Sequence, residues 1–273
     1  MIQASGAVVL RELRVQWRYP LSMINLVLLT PLYEMAIPTL LLGTAFMVDS
    51  SAVGLTRMVG TEDLAAWVGL GVLVASVLTG AVRGVSGMLQ SDRQTGALEH
   101  SWASPASREA FVLGAVGAGT IFTAAASALL LAFAIGVLGA DYDPTGVLLS
   151  VPVAGALLVG NCGFGYLAAA AALVLRRPGP LLDPLTGLVA AFSGVAFPLT
   201  VLPEPVRWLT YVLPSTWSLD LMRCLTLDTR TLVPMPYEVT ALVVTSLGFL
   251  LFGRRVFRRA ERKVQTTGAL TQF

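Results

Sequence analysis

The sequence predicts an all-α integral membrane protein. Of its 273 residues, 55% are hydrophobic and only 12% are charged, whereas a soluble domain carries about a quarter charged residues. The mean hydropathy of +0.76 agrees with this class. A water-soluble core of this size would leave too little polar surface to cover itself. The high apolar content also excludes a disordered chain.

Six stretches are long enough to cross a bilayer, which requires about 20 apolar residues in a helix. They cover residues 21–47, 64–88, 110–139, 147–175, 181–202 and 236–253. The first stretch joins two uncharged segments across Glu34. The third and fourth are each too short for two passes and a turn, so each predicts one long helix. An even number of spans places both termini on the same side.

The distribution of basic residues predicts which side that is. All but four of the 18 basic residues fall on the side of the two termini, and the four exceptions are Arg57, Arg207, Arg223 and Arg230. Basic residues accumulate on the cytoplasmic side of membrane proteins. Both termini are therefore predicted to be cytoplasmic in a multi-pass protein.

Residues 1–19 are too polar to span and predict an interfacial helix. On a helix, apolar and basic residues lie on opposite sides, with Ile2, Val9, Leu13 and Trp17 on one and Arg11, Arg14 and Arg18 on the other. This pattern is typical of a helix lying in the membrane surface. The segment is either a simple anchor or a cytoplasmic docking or gating element.

The loop 89–108 is the most polar internal segment. A short helix can begin at Thr95 or Gly96 and end before Pro105, because the residue before a proline disfavours helical backbone. Such a helix could be a docking site for a soluble partner, and Glu99 on it could pair with an arginine of that partner. A solvated connector fits the loop composition equally well.

The late segment 193–223 is apolar but interrupted by four prolines. These are Pro198, Pro203, Pro205 and Pro214, with Trp208, Tyr211 and Trp217 among them. Irregular backbone is tolerated in a membrane only where protein or a water-filled cavity satisfies it. We therefore expect an outer re-entrant helical hairpin at 203–223.

The sequence offers no nucleotide, metal or catalytic site. Its one lysine, Lys263, is followed by Val264 and lacks a glycine-rich loop, so no phosphate-binding P-loop is expected. One histidine, His100, and two cysteines, Cys162 and Cys224, give neither a metal-ligand spacing nor a catalytic triad. We expect no cofactor in this chain and no nucleic-acid partner.

Two of these segments resemble the permease subunit of type-2 ATP-binding-cassette exporters, a family that includes drug, lipid and polysaccharide exporters. The first reads Arg93-Gln-Thr-Gly96-Ala97-Leu98-Glu99, followed by Ser104-Pro105-Ala106-Ser107. The second reads Ser193-Gly194-Val195-Ala196-Phe197-Pro198-Leu199, then Leu202-Pro203-Glu204 and Leu213-Pro214-Ser215-Thr216-Trp217. Ala97 departs from the family's usual threonine, and His100-Ser101 from more apolar residues. The six-span count and the amino-terminal helix fit the same family.

The resemblance implies a half-transporter in a bacterial cytoplasmic membrane. A second permease subunit would complete a homo- or heterodimer, and a separate ATPase subunit would bind ATP and Mg. A cytoplasmic coupling helix in loop 89–108 would dock on that ATPase, and the late hairpin would form an outer gate. The implied coupling residues are Arg93, Gly96, Leu98, Glu99, Pro105, Arg11 and Trp17. The implied gate residues are Phe197, Pro198, Pro203, Trp208 and Pro214.

Three polar residues within the predicted spans are candidates for a substrate path. They are Glu34, Asn161 and Tyr166, of which Glu34 carries a charge that is costly inside a membrane. The sparse aromatic and polar content of the long spans favours a hydrophobic or amphipathic substrate, such as a drug-like metabolite or a lipid. The basic tail, 254–273, is expected to contact membrane lipid.

Alternative functions stay open at this point. The chain could export a polysaccharide or glycolipid within the same family, or it could be a proton-coupled secondary transporter that uses Glu34. It could also be a membrane scaffold or immunity protein without an ATPase partner.

Overall fold

The computed structural model describes residues 2–19, 21, 24–30, 32–37, 39, 61, 63–94, 96, 108–175, 178–195 and 197–267. Within these residues all regular secondary structure is helical. This confirms the predicted all-α class for the described part of the chain.

The chain begins with α1, Ile2–Trp17, as predicted for the amino-terminal segment. Residues 24–30 and 32–37 are helical and include a π-helical turn at Asn25–Leu29. These residues fall in the first predicted span, 21–47. The later part of that span lies outside the described residues.

Three long helices follow, and acidic caps define two of their starts. They are α2 at Leu64–Gln94, α3 at Arg108–Gly136 and α4 at Pro144–Val174. Asp63 accepts a hydrogen bond from the Ala66 amide at 2.8 Å, and Asp143 accepts from the Thr145 and Gly146 amides. Such side chains satisfy amides that a helix start leaves without an intrahelical partner.

The fifth helix is shorter than the predicted span 181–202. Helix α5, Gly179–Phe192, has 14 residues, which is fewer than a bilayer crossing needs. The chain turns at Ser193 and at Gly194, whose φ of +82° is the left-handed backbone that glycine adopts readily. A short 3₁₀ turn, Leu199–Val201, follows Pro198.

Two short helices and one long helix complete the fold. They are α6 at Glu204–Thr210, α7 at Pro214–Leu227 and α8 at Met235–Thr267. Helix α8 continues well beyond the predicted span 236–253, so residues 254–267 of the predicted tail are helical. Ion pairs described below hold this extension against α3.

The described residues contain four helices that are long and apolar enough to cross a membrane. These are α2, α3, α4 and the Met235–Val264 part of α8. They overlap the predicted spans 64–88, 110–139, 147–175 and 236–253. Large apolar side chains stay exposed on them, including Leu148 on α4 and Val244 and Leu247 on α8. In a membrane, lipid or another subunit would cover these side chains.

Small residues bring α2 and α3 into close contact. A Cβ atom on Gly80 would lie 2.1 Å from the Thr123 Oγ1 atom, and one on Gly119 would lie 2.4 Å from the Gly80 carbonyl oxygen. Gly80 and Gly84 form the GxxxG spacing that permits close helix packing in membranes. The spacing therefore has a structural role here.

Helices α4 and α8 form another extensive contact in the bundle, and α1 lies against α3. Two apolar clusters fill the interior. One includes Trp67, Leu157 and Trp217, and the other includes Val85 and Phe257.

Candidate functional site

Charged side chains meet where α2 and α4 end and α3 begins. We call this region the basic end and define it by Arg11, Asp92, Arg93, Arg108 and Glu109. The sequence predicts that all of these residues face the cytoplasm. The residues on either side of the segment 95–107, which the sequence predicts to contain the coupling helix, lie here.

Arg11 on α1 is bonded to Asp92 near the end of α2. The Arg11 Nη1 atom donates to Asp92 Oδ2 at 3.1 Å, and Arg11 Nη2 contacts Asp92 Oδ1. Asp92 is fully buried, and its hydrogen bonds raise the pKa of Arg11 above the ordinary value. Two-point pairing of this kind fixes orientation as well as distance. It ties the amino-terminal helix directly to α2.

Arg93 binds the end of α4. Its Nη1 and Nη2 atoms donate to the carbonyl oxygens of Leu175 at 2.9 Å and Leu173 at 3.2 Å. A cation at a helix carboxyl terminus satisfies free carbonyl groups and complements the helix dipole. The predicted coupling residue Arg93 is therefore engaged within the chain.

The start of α3 is bonded to the extension of α8. Glu109 accepts from Arg254 Nη2 at 2.8 Å and pairs with Arg258 Nη2 at 2.7 Å. Arg108 Nη1 pairs with Glu261 Oε1 at 2.6 Å. Arg254 and Arg258 of the basic tail, which is expected to contact lipid, therefore pair with Glu109 of α3.

The predicted coupling residues are only partly described. Gly96 has a φ of +69° directly after α2, and the Trp17 side chain on α1 is 69% exposed. Leu98, Glu99 and Pro105 lie outside the described residues, so their predicted role stays a prediction.

Glu34 lies at a cavity within the bundle. It lines a cavity of about 470 Å³ together with residues of α1, α2 and α3. It also lines a second cavity of about 230 Å³ between α2 and α5. Arg83 lines both cavities, and its Nε atom pairs with Asp183 Oδ1 of α5 at 3.4 Å. The structure therefore brings Glu34 together with two charged residues that the sequence did not group with it.

Asn161 and Tyr166, the other predicted path residues, are packed inside the bundle. Asn161 is 1% exposed, and its amide group has no hydrogen-bond partner in the described part of the chain. The Tyr166 ring lies 5.6 Å from the Phe257 ring of α8. Neither residue lines the two cavities that contain Glu34.

The predicted gate residues begin and connect short helices. Pro203 precedes α6. Pro214 begins α7, at the position where the fixed φ of proline favours helix initiation. Pro198 precedes the 3₁₀ turn, while Phe197 is partly buried and Trp208 is 70% exposed. The chain thus forms two short helices here, and their depth in the membrane stays a prediction.

Arg223 on α7 joins this hairpin to the rest of the bundle. It donates to the carbonyl oxygens of Gly194 at 2.8 Å, of Trp67 at 3.1 Å and of Val195 at 3.3 Å. Its guanidinium carbon lies 3.5 Å from the centre of the Trp67 ring, a cation–π contact. The sequence predicts only that Arg223 lies on the outer side. Its position in segment 193–223, among prolines and tryptophans, was the one feature of the sequence that could have pointed to a structural role.

No group of three or more His, Cys, Asp or Glu side chains in the described ranges is arranged to hold a metal ion.

Comparison with protein families identifies the chain. The family model for ABC-2 type transporters matches residues 3–226, which include α1, the basic end, both cavities and most of α7. The chain belongs to the ABC-2 type transporter family. No curated protein matches it.

Membership in the ABC-2 type transporter family confirms the resemblance seen in the sequence. Membership in this family implies the transmembrane component of an ATP-binding-cassette exporter. The chain is therefore a permease component and a multi-pass membrane protein. An ATP-binding-cassette partner is implied by the same membership.

Proposed function

We propose that this chain is the membrane-spanning subunit of an exporter that moves a hydrophobic or amphipathic substrate outward. A separate ATPase subunit would bind ATP and Mg and supply the energy, and two permease subunits would pair. The proposed location is the cytoplasmic membrane of a bacterium, with both termini in the cytoplasm.

The main support for this proposal is that the residues on both sides of the predicted coupling segment are bonded to other helices. Before the segment, Asp92 and Arg93 are bonded to α1 and α4. After the segment, Arg108 and Glu109 are bonded to α8. A displacement applied to residues 95–107 by an ATPase would therefore reach α1, α4 and α8 as well as α2 and α3. Rigid-body movement of this kind is a common way to convert binding into conformational change.

The exposed side of α5 supports a second permease subunit. Leu181, Leu185 and Leu188 recur at helical spacing and are each about half exposed. Only Leu182 and Thr186 of this helix are buried. An apolar helix face with few partners inside its own chain fits a contact with another membrane helix.

The alternative of a proton-coupled transporter rests on Glu34. A carboxylate at an intramembrane cavity can carry a proton as well as bind a substrate. This alternative predicts transport that follows a proton gradient and is indifferent to ATP.

Purification of the tagged chain from its native membrane in mild detergent tests the proposal. We expect mass spectrometry to find an ATP-binding-cassette ATPase in stoichiometric amount. Glu99→Ala should lower the recovered ATPase about tenfold, since a partly desolvated ion pair contributes about 1.4 kcal/mol.

Glu204→Ala is the matched control. Glu204 lies on the hairpin helix α6, and its side chain is 82% exposed. This variant should recover as much ATPase as the unmodified chain. Recovery of the chain alone, while a known complex survives the same detergent, would contradict the proposed function.

A further inference from the structure

The two cavities that contain Glu34 share part of their lining. Glu34, Thr79 and Arg83 line both of them. Their volumes, about 470 Å³ and about 230 Å³, fall near or within the range of small-molecule sites, about 300–1,000 Å³. A ligand with a bulky apolar body could therefore occupy this space with its polar group beside Glu34.

The charge around these cavities is negative. Arg83 is paired with Asp183 at 3.4 Å. Among the described residues, the Glu34 carboxylate forms no direct ion pair or hydrogen bond, and Arg83 attracts it only through space. Glu12 adds a second carboxylate to the larger cavity. Each cavity thus contains two acidic side chains and one basic one, and a bound cation would balance the excess.

The rest of the larger cavity's lining combines small and apolar residues with uncharged polar side chains. Small residues of α2 and α3 form part of the wall, among them Gly84, Ala115, Ala118 and Gly119. The Ser76 hydroxyl lines the larger cavity and has no hydrogen-bond partner within the described residues. A buried hydroxyl of this kind can bond a polar group of a ligand, which would remove the cost of leaving it unpaired.

The amino-terminal helix borders the larger cavity. Glu12, Val15 and Gln16 of α1 form part of its wall, and α1 is predicted to lie in the cytoplasmic membrane surface. An amphiphile in the inner leaflet has its charged group at this level and its apolar part deeper in the membrane. The cavity is therefore bordered by the region from which such a molecule would arrive.

We propose that Glu34 binds the cationic group of an amphipathic substrate whose apolar body occupies the two cavities. This inference rests on the proposed function, because it names the substrate class of the exporter. A partly buried carboxylate that forms no ion pair among the described residues favours a positive ligand, since pairing offsets the cost of keeping the charge away from water.

Two probes of the same shape and opposite charge test the inference. The detergent-purified complex of the chain with its co-purifying subunits would be equilibrated with tetraphenylphosphonium, a cation, and separately with tetraphenylborate, an anion. We expect tetraphenylphosphonium to bind the unmodified complex. Glu34→Gln should weaken its binding at least tenfold and should strengthen tetraphenylborate binding or leave it unchanged.

Control variants separate charge from structure. Glu34→Asp keeps the carboxylate and should bind tetraphenylphosphonium within about threefold of the unmodified complex. Glu204→Gln lies outside both cavities and should not change the binding of either probe. Equal losses in Glu34→Gln and Glu34→Asp would assign Glu34 a structural role and overturn the inference.

The inference and the proposed function can fail separately. Absence of tetraphenylphosphonium binding, or binding that Glu34→Gln leaves unchanged, would overturn the cation site even if the ATPase co-purifies. If no ATPase co-purifies but tetraphenylphosphonium still binds in a way that depends on Glu34, the ATP-driven mechanism would be overturned and the cation site would stand.

Discussion

Arg223 shows how one residue connects distant parts of this fold. Its guanidinium bonds the carbonyl groups of Trp67, at the start of α2, and of Gly194 and Val195, just after α5. The Gly194 and Val195 carbonyls lie in a turn outside the helices, and buried carbonyl groups without partners are costly. The planar fork of arginine can reach several acceptors at once, which the single ammonium group of lysine cannot do as well. Arg223 is thus a positioning residue for the hairpin.

Arg223→Met should destabilise the protein by about 3 kcal/mol, because it leaves three buried carbonyl groups without a charged donor. Arg223→Lys should recover only part of this loss. The free energy of unfolding in a denaturant titration of the purified protein measures both changes. Arg230→Met is the matched control, because Arg230 is exposed on the loop after α7. Equal stability of Arg223→Met and Arg230→Met would contradict the assigned role.

At the level of residues, the sequence could identify Glu34 but not Arg223. A carboxylate inside an apolar stretch stands out because its burial is costly. Arg223 is bonded to backbone atoms of residues far away in the chain, and no local pattern marks such partners. The same reason explains why Asp92 was missed, since its partner Arg11 lies on another helix.

Among the elements, α8 joins the membrane bundle to the basic end. Its residues beyond 253 stay helical and place Arg254 and Arg258 against Glu109 of α3. Glu261 extends the same contact to Arg108. Three ion pairs between two helices form a network, and networks contribute more than isolated surface pairs.

Glu109→Gln should release the extension of α8. Removing the shared carboxylate leaves Arg254 and Arg258 close together without a counter-charge, so backbone amides of residues 254–267 should exchange hydrogen faster, by about tenfold. Hydrogen–deuterium exchange with mass spectrometry measures this change. Arg262→Gln alters an exposed residue of the same helix and should leave the exchange rates unchanged. Unchanged exchange in Glu109→Gln would show that the extension is held by other contacts.

Helix starts could be predicted better than helix ends. Asp63 and Asp143 interrupt apolar stretches and also cap α2 and α4, so the same residues mark the boundary in sequence and in structure. The end of α5 depends on the backbone of Gly194, within a stretch that stays apolar and uncharged. Charge and hydropathy therefore extended the predicted span to 202.

At the scale of the whole molecule, the bundle has two ends with distinct polar contacts and two cavities between them. The basic end lies on either side of the predicted coupling segment, Arg223 ties the hairpin to the opposite end of α2, and Glu34 and Arg83 lie at the cavities between α2 and its neighbours. This order fits the proposed exporter, in which a movement at the predicted cytoplasmic end changes access to an internal site. The side chains inside the cavities would select the substrate, and the ATPase would drive its movement.

ATP-dependent transport in reconstituted vesicles tests the central claim most directly. The chain and its co-purified ATPase would be placed in proteoliposomes, and accumulation of amphipathic dyes would be followed after adding ATP and Mg outside. We predict accumulation that requires ATP, persists with a protonophore and is lost when the P-loop lysine of the ATPase is replaced. Accumulation that needs a proton gradient and ignores ATP would contradict the account.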